Sequence, residues 1–496
     1  MTSAEINGPR PALLFVLDGI RPDVLQAAIR EGDAPNLGAL AQSGEAVWDA
    51  VSVFPSITPA ATAAIATGEA PARSGIVGHA WYDEDERRVV VYGAMTETVM
   101  ASGPIRVFHN NVWRMNRDDL HAATLFEALH DRGFDGACVN FPVRRGPHTH
   151  PIRMKTVEGY LIGGRYLGPS VQGPKEYFMG DLFYSRDTGF SGRKANGGVL
   201  RSVGINDDYA ARVGAMLLKE RAAPFNLVYF FKGDSIAHHH GLEAQRQWLV
   251  TADEYVARIF TAGGGVERVL EDYAVLALSD HGHAPLLPKG RYVDLRMIPG
   301  QNVSSGVKAR FGNGTTVVVV PNGRSALLYL RGDVELESVV EKLAGRRGVD
   351  LAAWMEDGWV AVHRLGREIR FKPGSGPKDP FGRSWEFEGD PRALDLTVSG
   401  GFLYYGEYPD ALERLWGCLH SPRCGDVVLS ATPGYTFGEI SGGYHTASDH
   451  GSLHMSDSNV FVLASGVPAP HRITDVAPTL LSHFGAGKVS EDRVLQ

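Results

Sequence analysis

Short apolar runs in this chain end directly in a carboxylate, hydroxyl or imidazole side chain. The runs lie in the segments LLFVLDGI, VFPSIT, VYFFKGDSIAHHHG, VLALSDHGH and SDHGSLH. Their length and composition are typical of buried strands. In open parallel α/β sheets, ligands bind in the crevice beyond the carboxyl ends of the strands, so we expect the polar residues there to share one site. These residues are Asp18, Thr58, Asp234, His238, Asp280, His281 and His450.

The segments between the runs have the pattern of helices. Over residues 11 to 142, and again over 206 to 284, strand-like runs alternate with helical stretches that end at glycine. This alternation predicts an α/β fold, doubly wound, with a largely parallel sheet flanked by helices. The run NVFVLASG at 459–466 is predicted as one more core strand, followed by a closing helix.

A chain of 496 residues exceeds the usual limit for a single core. We predict a catalytic α/β core from residues 1–285 and 446–496, with a loop-rich insertion at about 143–205. Residues 286–445 are predicted as an inserted α+β subdomain. There, TTVVVVPNGRSALLYL is typical of a hairpin and VELESVVEKLAG of an amphipathic helix.

Composition excludes several functional classes. The net charge of −8 gives no global basic field, so no stable nucleic-acid complex is expected. No run approaches the roughly 18 apolar residues of a membrane span, and no signal peptide is recognisable, so the expected location is cytoplasmic. Three cysteines are too few for a disulfide framework. Cys418 and Cys424 flank His420 and could form a disulfide or a small metal clip, or be unrelated thiols. The oligomeric state is not indicated.

The polar residues at the run ends have the chemistry of a metal site. Asp234 and His238 are spaced i, i+4, so on a helix both would face one ion. Thr58 precedes Pro59 at a predicted helix start, which predicts an N-cap whose hydroxyl lies where a phosphate would bind. Singly, these patterns also suit a plain cap, a helix-surface pair or loop histidines. Carboxylates and imidazoles without thiolate favour zinc, with manganese or iron as alternatives.

The motifs LDGIRPD, FPSITPAATAAIATGEAPARSGIVG, GDSIAHHHG, SDHG and the late HG resemble, in that order, the alkaline phosphatase superfamily. The resemblance is to its nucleotide pyrophosphatase/phosphodiesterase branch and covers the predicted α/β core. It implies a phosphoric ester hydrolase with two zinc ions and Thr58 as nucleophile. One ion would be held by Asp18, Thr58, Asp280 and His281, and the other by Asp234, His238 and His450.

The substrate implied by the resemblance is small and phosphorylated, with a phosphodiester or nucleotide pyrophosphate bond. His79 stands where the family commonly has an asparagine that helps to hold a phosphoryl oxygen, so it would replace that donor or simply pack beside Trp81. The candidates for stacking on a base are Tyr160, Tyr166, Tyr177, Trp81 and Tyr82.

Alternative activities stay open at this point. A phosphomonoesterase needs extra positive charge, for which Arg73, Arg144 and Arg145 are candidates. Phosphonate hydrolysis, phospho-headgroup transfer and a phosphomutase of the same superfamily are further enzyme alternatives. A non-catalytic metal-binding scaffold is the alternative of another class.

Overall fold

The computed structural model describes residues 8–93, 99–100, 102–153, 170–193, 203–312, 314–440 and 445–485. The strands of the first part of the chain are β1 Ala12–Leu17, β2 Glu45–Val51, β3 Ala80–Asp83, β4 Arg88–Val91, β5 Gly136–Val139, β6 His148–Pro151, β7 Ser170–Gly173, β8 Glu176–Met179, β9 Phe183–Tyr184, β10 Phe225–Phe230 and β11 Ala274–Leu278.

The remaining strands follow in the second part of the chain. They are β12 Ala284–Pro285, β13 Val303–Ser305, β14 Val317–Gly323, β15 Ser325–Leu330, β16 Val349–Glu356, β17 Trp359–Arg364, β18 Arg367–Lys378, β19 Ser384–Gly389, β20 Leu396–Ser399, β21 Phe402–Tyr405, β22 Val427–Ala431, β23 Gly438–Glu439, β24 Ser448–Asp449 and β25 Asn459–Ser465.

The α-helices surround these strands. They are α1 Pro22–Glu31, α2 Pro35–Ser43, α3 Thr58–Thr67, α4 Pro71–Ser74, α5 Pro104–His109, α6 Leu125–His130, α7 Asp207–Glu220, α8 Lys232–His240, α9 Leu242–Ala262, α10 Val266–Asp272, α11 Leu336–Ala344, α12 Ala411–Leu419, α13 Met455–Ser458 and α14 Val476–His483. A π-helix spans Asn110–Asp119, and short 3-10 helices span Pro391–Leu394 and Ile473–Asp475. No described helix is both long enough and apolar enough to cross a membrane.

The central sheet has eight strands in the order β2-β25-β11-β1-β10-β5-β8-β9. The neighbours β11, β1, β10, β5 and β8 run parallel, whereas β25, β2 and β9 pair antiparallel. The predicted α/β fold with a largely parallel sheet is therefore confirmed. The predicted strand at NVFVLASG is β25, and its antiparallel direction is a feature that hydrophobic periodicity does not encode.

The side chains of β1 alternate between two separate cores, as the pleat of a strand requires. Leu14 and Val16 enter the core that contains α3 and α14. Leu13, Phe15 and Leu17 enter the core formed with α1, α2, α7 and α9. Because both faces are covered by helices, all six residues of β1 are buried, and the site at its carboxyl end rests on a rigid strand.

A second sheet of 11 strands takes all its members from β13 to β23. One face contributes Val318 and Val320 to the core that holds α3, and the other face is covered by α11. The expected hairpin is β14–β15, paired from Val317↔Leu330 to Asn322↔Ser325. The domain boundaries at residues 285 and 445 stay a prediction, with which this strand order agrees.

The segment expected to be a loop-rich insertion, residues 143–205, contains four described strands, β6 to β9. Two of them, β8 and β9, extend the central sheet at its edge. These strands are only two to four residues long, too short for a periodic pattern to reveal them.

Candidate active site

The seven residues singled out at the ends of apolar runs lie together at the carboxyl edge of the central sheet. Asp18 follows β1, Asp280 and His281 follow β11 after Ser279, and His450 follows β24. Asp234 and His238 lie one turn apart in α8, which begins two residues after β10. Thr58 opens α3.

The first group of contacts centres on His281. Its Nε2 lies 3.1 Å from Thr58 Oγ1, 3.3 Å from Asp18 Oδ1 and 3.7 Å from Asp280 Oδ2. All three partner side chains belong to different elements. A group of this kind, with two carboxylates and an imidazole within ligand distance, can hold a divalent cation.

The second group of contacts centres on one oxygen, Asp234 Oδ1. His238 Nε2 lies 3.1 Å away and His450 Nε2 3.4 Å away. The rings of His450 and His281 stack with centroids 3.6 Å apart, so the two groups are adjacent. The division into two ligand sets that the resemblance implies stays a prediction.

Sequence reasoning missed a third imidazole in the second group. His283, two residues after His281, places its Nε2 3.0 Å from Asp234 Oδ1 and is fully buried. The second histidine of the run SDHGH is the signal that could have identified it.

The sequence predicts Thr58 as the N-cap of α3, but this prediction is wrong. Ile57 caps the helix, and Thr58 is its first residue, followed by Pro59. The Thr58 hydroxyl therefore does not bond to the first amides of the helix and instead faces His281 and Asp18. Its side chain is only half-buried, so it can be reached from solvent.

Three imidazoles of the cluster are oriented by hydrogen bonds from Nδ1 to backbone carbonyls. Nδ1 of His238 lies 3.0 Å from the Ser448 carbonyl, that of His450 2.9 Å from the Ser56 carbonyl, and that of His281 3.0 Å from the Gly282 carbonyl. A carbonyl only accepts, so Nδ1 of each of these rings carries a proton, and in its neutral form each ring turns the lone pair of Nε2 toward the cluster. Fixing of the tautomer through the outer nitrogen is the usual support of metal-binding histidines.

The charges of the cluster fit bound cations. Asp280 Oδ1 accepts from the amides of Gly19 and His281, both at 3.0 Å, but its Oδ2 is buried without a hydrogen-bond partner among the described residues. Tyr229 donates a short hydrogen bond to Asp18 Oδ2. Within the described part of the chain, only histidines pair with Asp18, Asp234 and Asp280. Buried carboxylates without arginine or lysine are the expected surroundings of a metal ion.

The pKa values reflect this crowding. Burial, together with the charge of Asp18, raises the pKa of Asp280 to about 7. Burial lowers the pKa of His238 to about 4. For His450, burial favours the neutral form, but the hydrogen bond and charge of Asp234 outweigh it and raise the pKa to about 10. In the absence of a metal ion, the cluster thus holds a proton beside Asp234, which a cation would replace.

His79 precedes β3 and is half-buried. Burial, and then the nearby charges of His450, His281 and His238, lower its pKa to about 3. The ring therefore lies beside the cluster as a neutral group. The N–H of Tyr92 donates to the His79 carbonyl at 2.7 Å, and this hydrogen bond holds the backbone at His79 in place.

Other candidates from the sequence lie elsewhere. Trp81, Tyr82 and Tyr177 are buried in the core and offer no stacking face, whereas Tyr160 and Tyr166 lie outside the described residues.

The three candidate arginines are engaged elsewhere. Arg73 is exposed and pairs with Glu69, Arg144 is buried against backbone carbonyls, and Arg145 pairs with Glu127. Cys418 and Cys424 are free buried thiols with Sγ atoms 3.3 Å apart. The neighbouring His420 packs on Trp416 instead.

A largely parallel sheet with this cluster beyond its strand ends is the arrangement that the resemblance to the alkaline phosphatase superfamily predicts. Residues 12–453 match the family described as type I phosphodiesterase / nucleotide pyrophosphatase, and the chain belongs to that family. The expected enzyme class, a phosphoric ester hydrolase, is thereby confirmed. A search of the curated proteins finds no match.

Solved structures share the fold. Murine ectonucleotide pyrophosphatase/phosphodiesterase 5 matches with a TM-score of 0.57 and 12% identity over 97% of both chains. The human protein of that name gives 0.56 and 14%, again over 97% of both chains. Phosphonoacetate hydrolase from Sinorhizobium meliloti 1021, in complex with phosphonoformate, gives 0.53 and 18% over 97% of this chain and 96% of that chain.

Proposed function

We propose that this protein hydrolyses phosphodiesters or nucleotide pyrophosphate bonds at a two-zinc site, through a phospho-threonine intermediate at Thr58. The observation that carries the proposal is the position of the Thr58 hydroxyl. It contacts His281 Nε2 and Asp18 Oδ1, yet remains half-buried and open to substrate. An inactive variant of the murine relative, with a threonine replaced by alanine, was solved in complex with AMP, which supports a reactive threonine.

The proposed ligand sets follow the two groups of contacts. Asp18, Thr58, Asp280 and His281 would hold one ion, and Asp234, His238 and His450 the other. Donor atoms that bind the same tetrahedral zinc at about 2.0–2.2 Å lie roughly 3.3–3.5 Å from one another. The distances between donor atoms in both groups are close to this value. When bound, two such cations would lower the pKa of the threonine hydroxyl and neutralise phosphate charge. Manganese or iron would satisfy the same donors.

The chain's own residues then account for the steps. Thr58 Oγ1 forms a bond to phosphorus as the bond to the leaving ester oxygen breaks, and the hydroxyl proton ends on the released alcohol. Water then attacks phosphorus and breaks the Thr58–phosphorus bond, which yields the phosphomonoester and restores the hydroxyl. His79 would donate to a phosphoryl oxygen from the edge of the cluster.

A diester substrate is favoured over a monoester by the arginines. Arg73, Arg144 and Arg145, the candidates for the extra phosphate charge, are all engaged away from the cluster. Phosphonate hydrolysis is the second candidate, supported by the structural likeness to phosphonoacetate hydrolase. A cytoplasmic location belongs to the proposal and is supported by the three free thiols.

The first test compares Thr58→Ala, Thr58→Ser and the matched control Thr67→Ala at the other end of α3. For Thr58→Ala we expect a loss of at least about 10³-fold in kcat with the metal content retained, because three donors remain around that ion. Thr58→Ser keeps measurable activity. The measurements are zinc content and hydrolysis of a thymidine p-nitrophenyl phosphodiester. Normal turnover by Thr58→Ala would refute the nucleophile assignment.

The second test concerns substrate class. Rates on bis-p-nitrophenyl phosphate, p-nitrophenyl phosphate and phosphonoacetate separate a diesterase from a monoesterase and a phosphonate hydrolase. His79→Asn, which introduces the residue common in the family, is expected to leave zinc content unchanged and to alter KM by less than about tenfold, since an amide also donates. A strong preference for the monoester would overturn the proposed substrate class.

A further inference from the structure

His283 lies in the interior of the cluster but has no assigned role. It follows β11 by way of the run Ser279–Gly282 and is fully buried. Its Nε2 is 3.0 Å from Asp234 Oδ1, the same oxygen that His238 and His450 approach. Three imidazole nitrogens therefore converge on a single carboxylate oxygen.

The hydrogen bonds of Ser448 decide which nitrogen of His283 carries the proton. Ser448 Oγ lies 2.6 Å from the Ala237 carbonyl, to which it donates its one hydrogen. The same Oγ lies 3.2 Å from His283 Nδ1, so it accepts there and Nδ1 is the donor. In this neutral tautomer, Nε2 presents a lone pair to the lone pairs of Asp234 Oδ1. Two such acceptors facing each other at 3.0 Å repel unless a proton or a metal cation lies between or beside them, and a bound metal ion would meet both lone pairs.

The geometry around His283 suits a shared ion. One donor atom each from Asp234, His283 and His450 lies within 4.8 Å of the others, and His281 of the other ligand set belongs to the same group. His238 joins this group through Asp234 Oδ1, which its Nε2 approaches to 3.1 Å. The rings of His283 and His238 are nearly perpendicular, at 78°, with centroids 4.8 Å apart, so their Nε2 atoms approach from different directions.

Gly19 leaves the necessary space. Its φ of +66° favours glycine. A Cβ atom there would lie 2.7 Å from His283 Nε2 and 3.1 Å from Asp234 Oδ1. A glycine at this position therefore preserves the volume directly beside the two facing lone pairs.

We propose that His283 is a further protein ligand of the ion held by Asp234, His238 and His450. This assignment rests on the two-metal site proposed above. That ion then has three neutral imidazoles and one carboxylate, so with a divalent cation the group carries a net charge of +1. The other ion has two carboxylates, a hydroxyl and one imidazole. The nitrogen-rich group favours zinc over manganese more strongly than the oxygen-rich group does, so the first equivalent of zinc fills it.

The test measures metal binding directly, in the full-length protein without substrate. Metal-free protein is titrated with Zn²⁺ against a chromophoric chelator and, separately, with Co²⁺ while its visible absorption is recorded. The variants are His283→Ala and His283→Gln, since glutamine can donate a hydrogen bond to Asp234 but does not replace an imidazole ligand. His240→Gln, an exposed residue at the end of the same helix as His238, is the matched control.

Mutation of a residue that only supports a ligand typically lowers metal affinity about 10–100-fold. Because His283 is proposed as a ligand itself, we expect both variants to lose more than about 100-fold in affinity for one of the two zinc ions. The Co²⁺ absorption of the tighter site should change in both. A smaller loss in His283→Ala, or wild-type affinity and spectrum in His283→Gln, would overturn the assignment and make His283 a positioning residue for Asp234. Equal far-UV circular dichroism of the metal-free forms controls for folding.

This outcome is separable from that of the proposed function. A protein that binds two zinc ions but cleaves no diester refutes the proposed activity and leaves the ligand assignment standing. A diesterase whose His283 variants retain both ions refutes the ligand assignment alone.

Discussion

Replacing Asp280 by asparagine should stabilise the metal-free protein and destabilise the zinc-bound protein, each relative to wild type. Asp280 is fully buried, and its Oδ1 accepts from two backbone amides while Oδ2 has no partner among the described residues. An asparagine of the same shape keeps both of those bonds through its own oxygen. It removes the negative charge that burial and Asp18 disfavour.

The magnitude follows from the pKa of Asp280, which rises from 3.8 to about 7 on folding. A carboxyl group with a raised folded pKa costs stability as the pH rises through this window, because the unfolded chain ionises first. At 1.36 kcal/mol for each pKa unit, the cost is about 4 kcal/mol at pH 8 and about 2 kcal/mol at pH 5. Metal-free Asp280→Asn should therefore be more stable than metal-free wild type by up to these amounts.

With zinc the order reverses. An ion present at a thousand times its dissociation constant stabilises the wild-type fold by about 4 kcal/mol, and the asparagine variant loses much of this for the ion beside Asp18. Urea midpoints of EDTA-treated and zinc-loaded protein, each at pH 5 and pH 8, test both signs. The exposed Asp333→Asn variant is the control. If the metal-free variant is no more stable than wild type at pH 8, the reasoning about the buried carboxylate is wrong.

Two further predictions concern the surroundings of the ligands. Tyr229→Phe removes the hydrogen bond to Asp18 Oδ2 and should lower zinc affinity about 10–100-fold without loss of the fold, as measured by chelator competition; unchanged affinity would contradict a supporting role for the phenol. Gly19→Ala forces a Cβ atom against His283 Nε2 at 2.7 Å with φ at +66°, so both thermal stability and zinc content should fall; wild-type values for both would show that the loop relaxes freely.

The placement of the site was predictable because its residues follow apolar runs directly. Asp18 and Asp280 each follow a parallel strand of the central sheet, and the carboxyl ends of parallel strands meet at one edge. Asp234 and His238 were predictable as a pair because their spacing is one helical turn. The α/β class was predictable from the alternation of strand-like and helical segments along the chain.

What the sequence did not reveal is which polar residue contacts which. Tyr229 lies inside the apolar strand β10 and resembles any core aromatic, although its hydroxyl bonds to Asp18. Thr58 has the sequence pattern of a cap, but the cap is Ile57, because the chain enters α3 with its backbone already extended there. His283 stands outside the motif SDHG, two residues after His281. Only its distance to Asp234, fixed by the turn after β11, makes it part of the cluster.

The second sheet supports the site from outside the α/β core. At the end of the β14–β15 hairpin, the Arg324 amide donates to the His450 carbonyl at 2.8 Å. From the same hairpin, the Asn322 side chain accepts from the Ala80 amide at 2.9 Å and donates to the Ala80 carbonyl at 2.9 Å, next to His79. One turn of this sheet thus positions both the loop that carries a proposed metal ligand and the strand that follows the proposed phosphate donor. The described residues of 286–445 thus support the cluster through these contacts to its backbone, and none of them belongs to the proposed ligand sets.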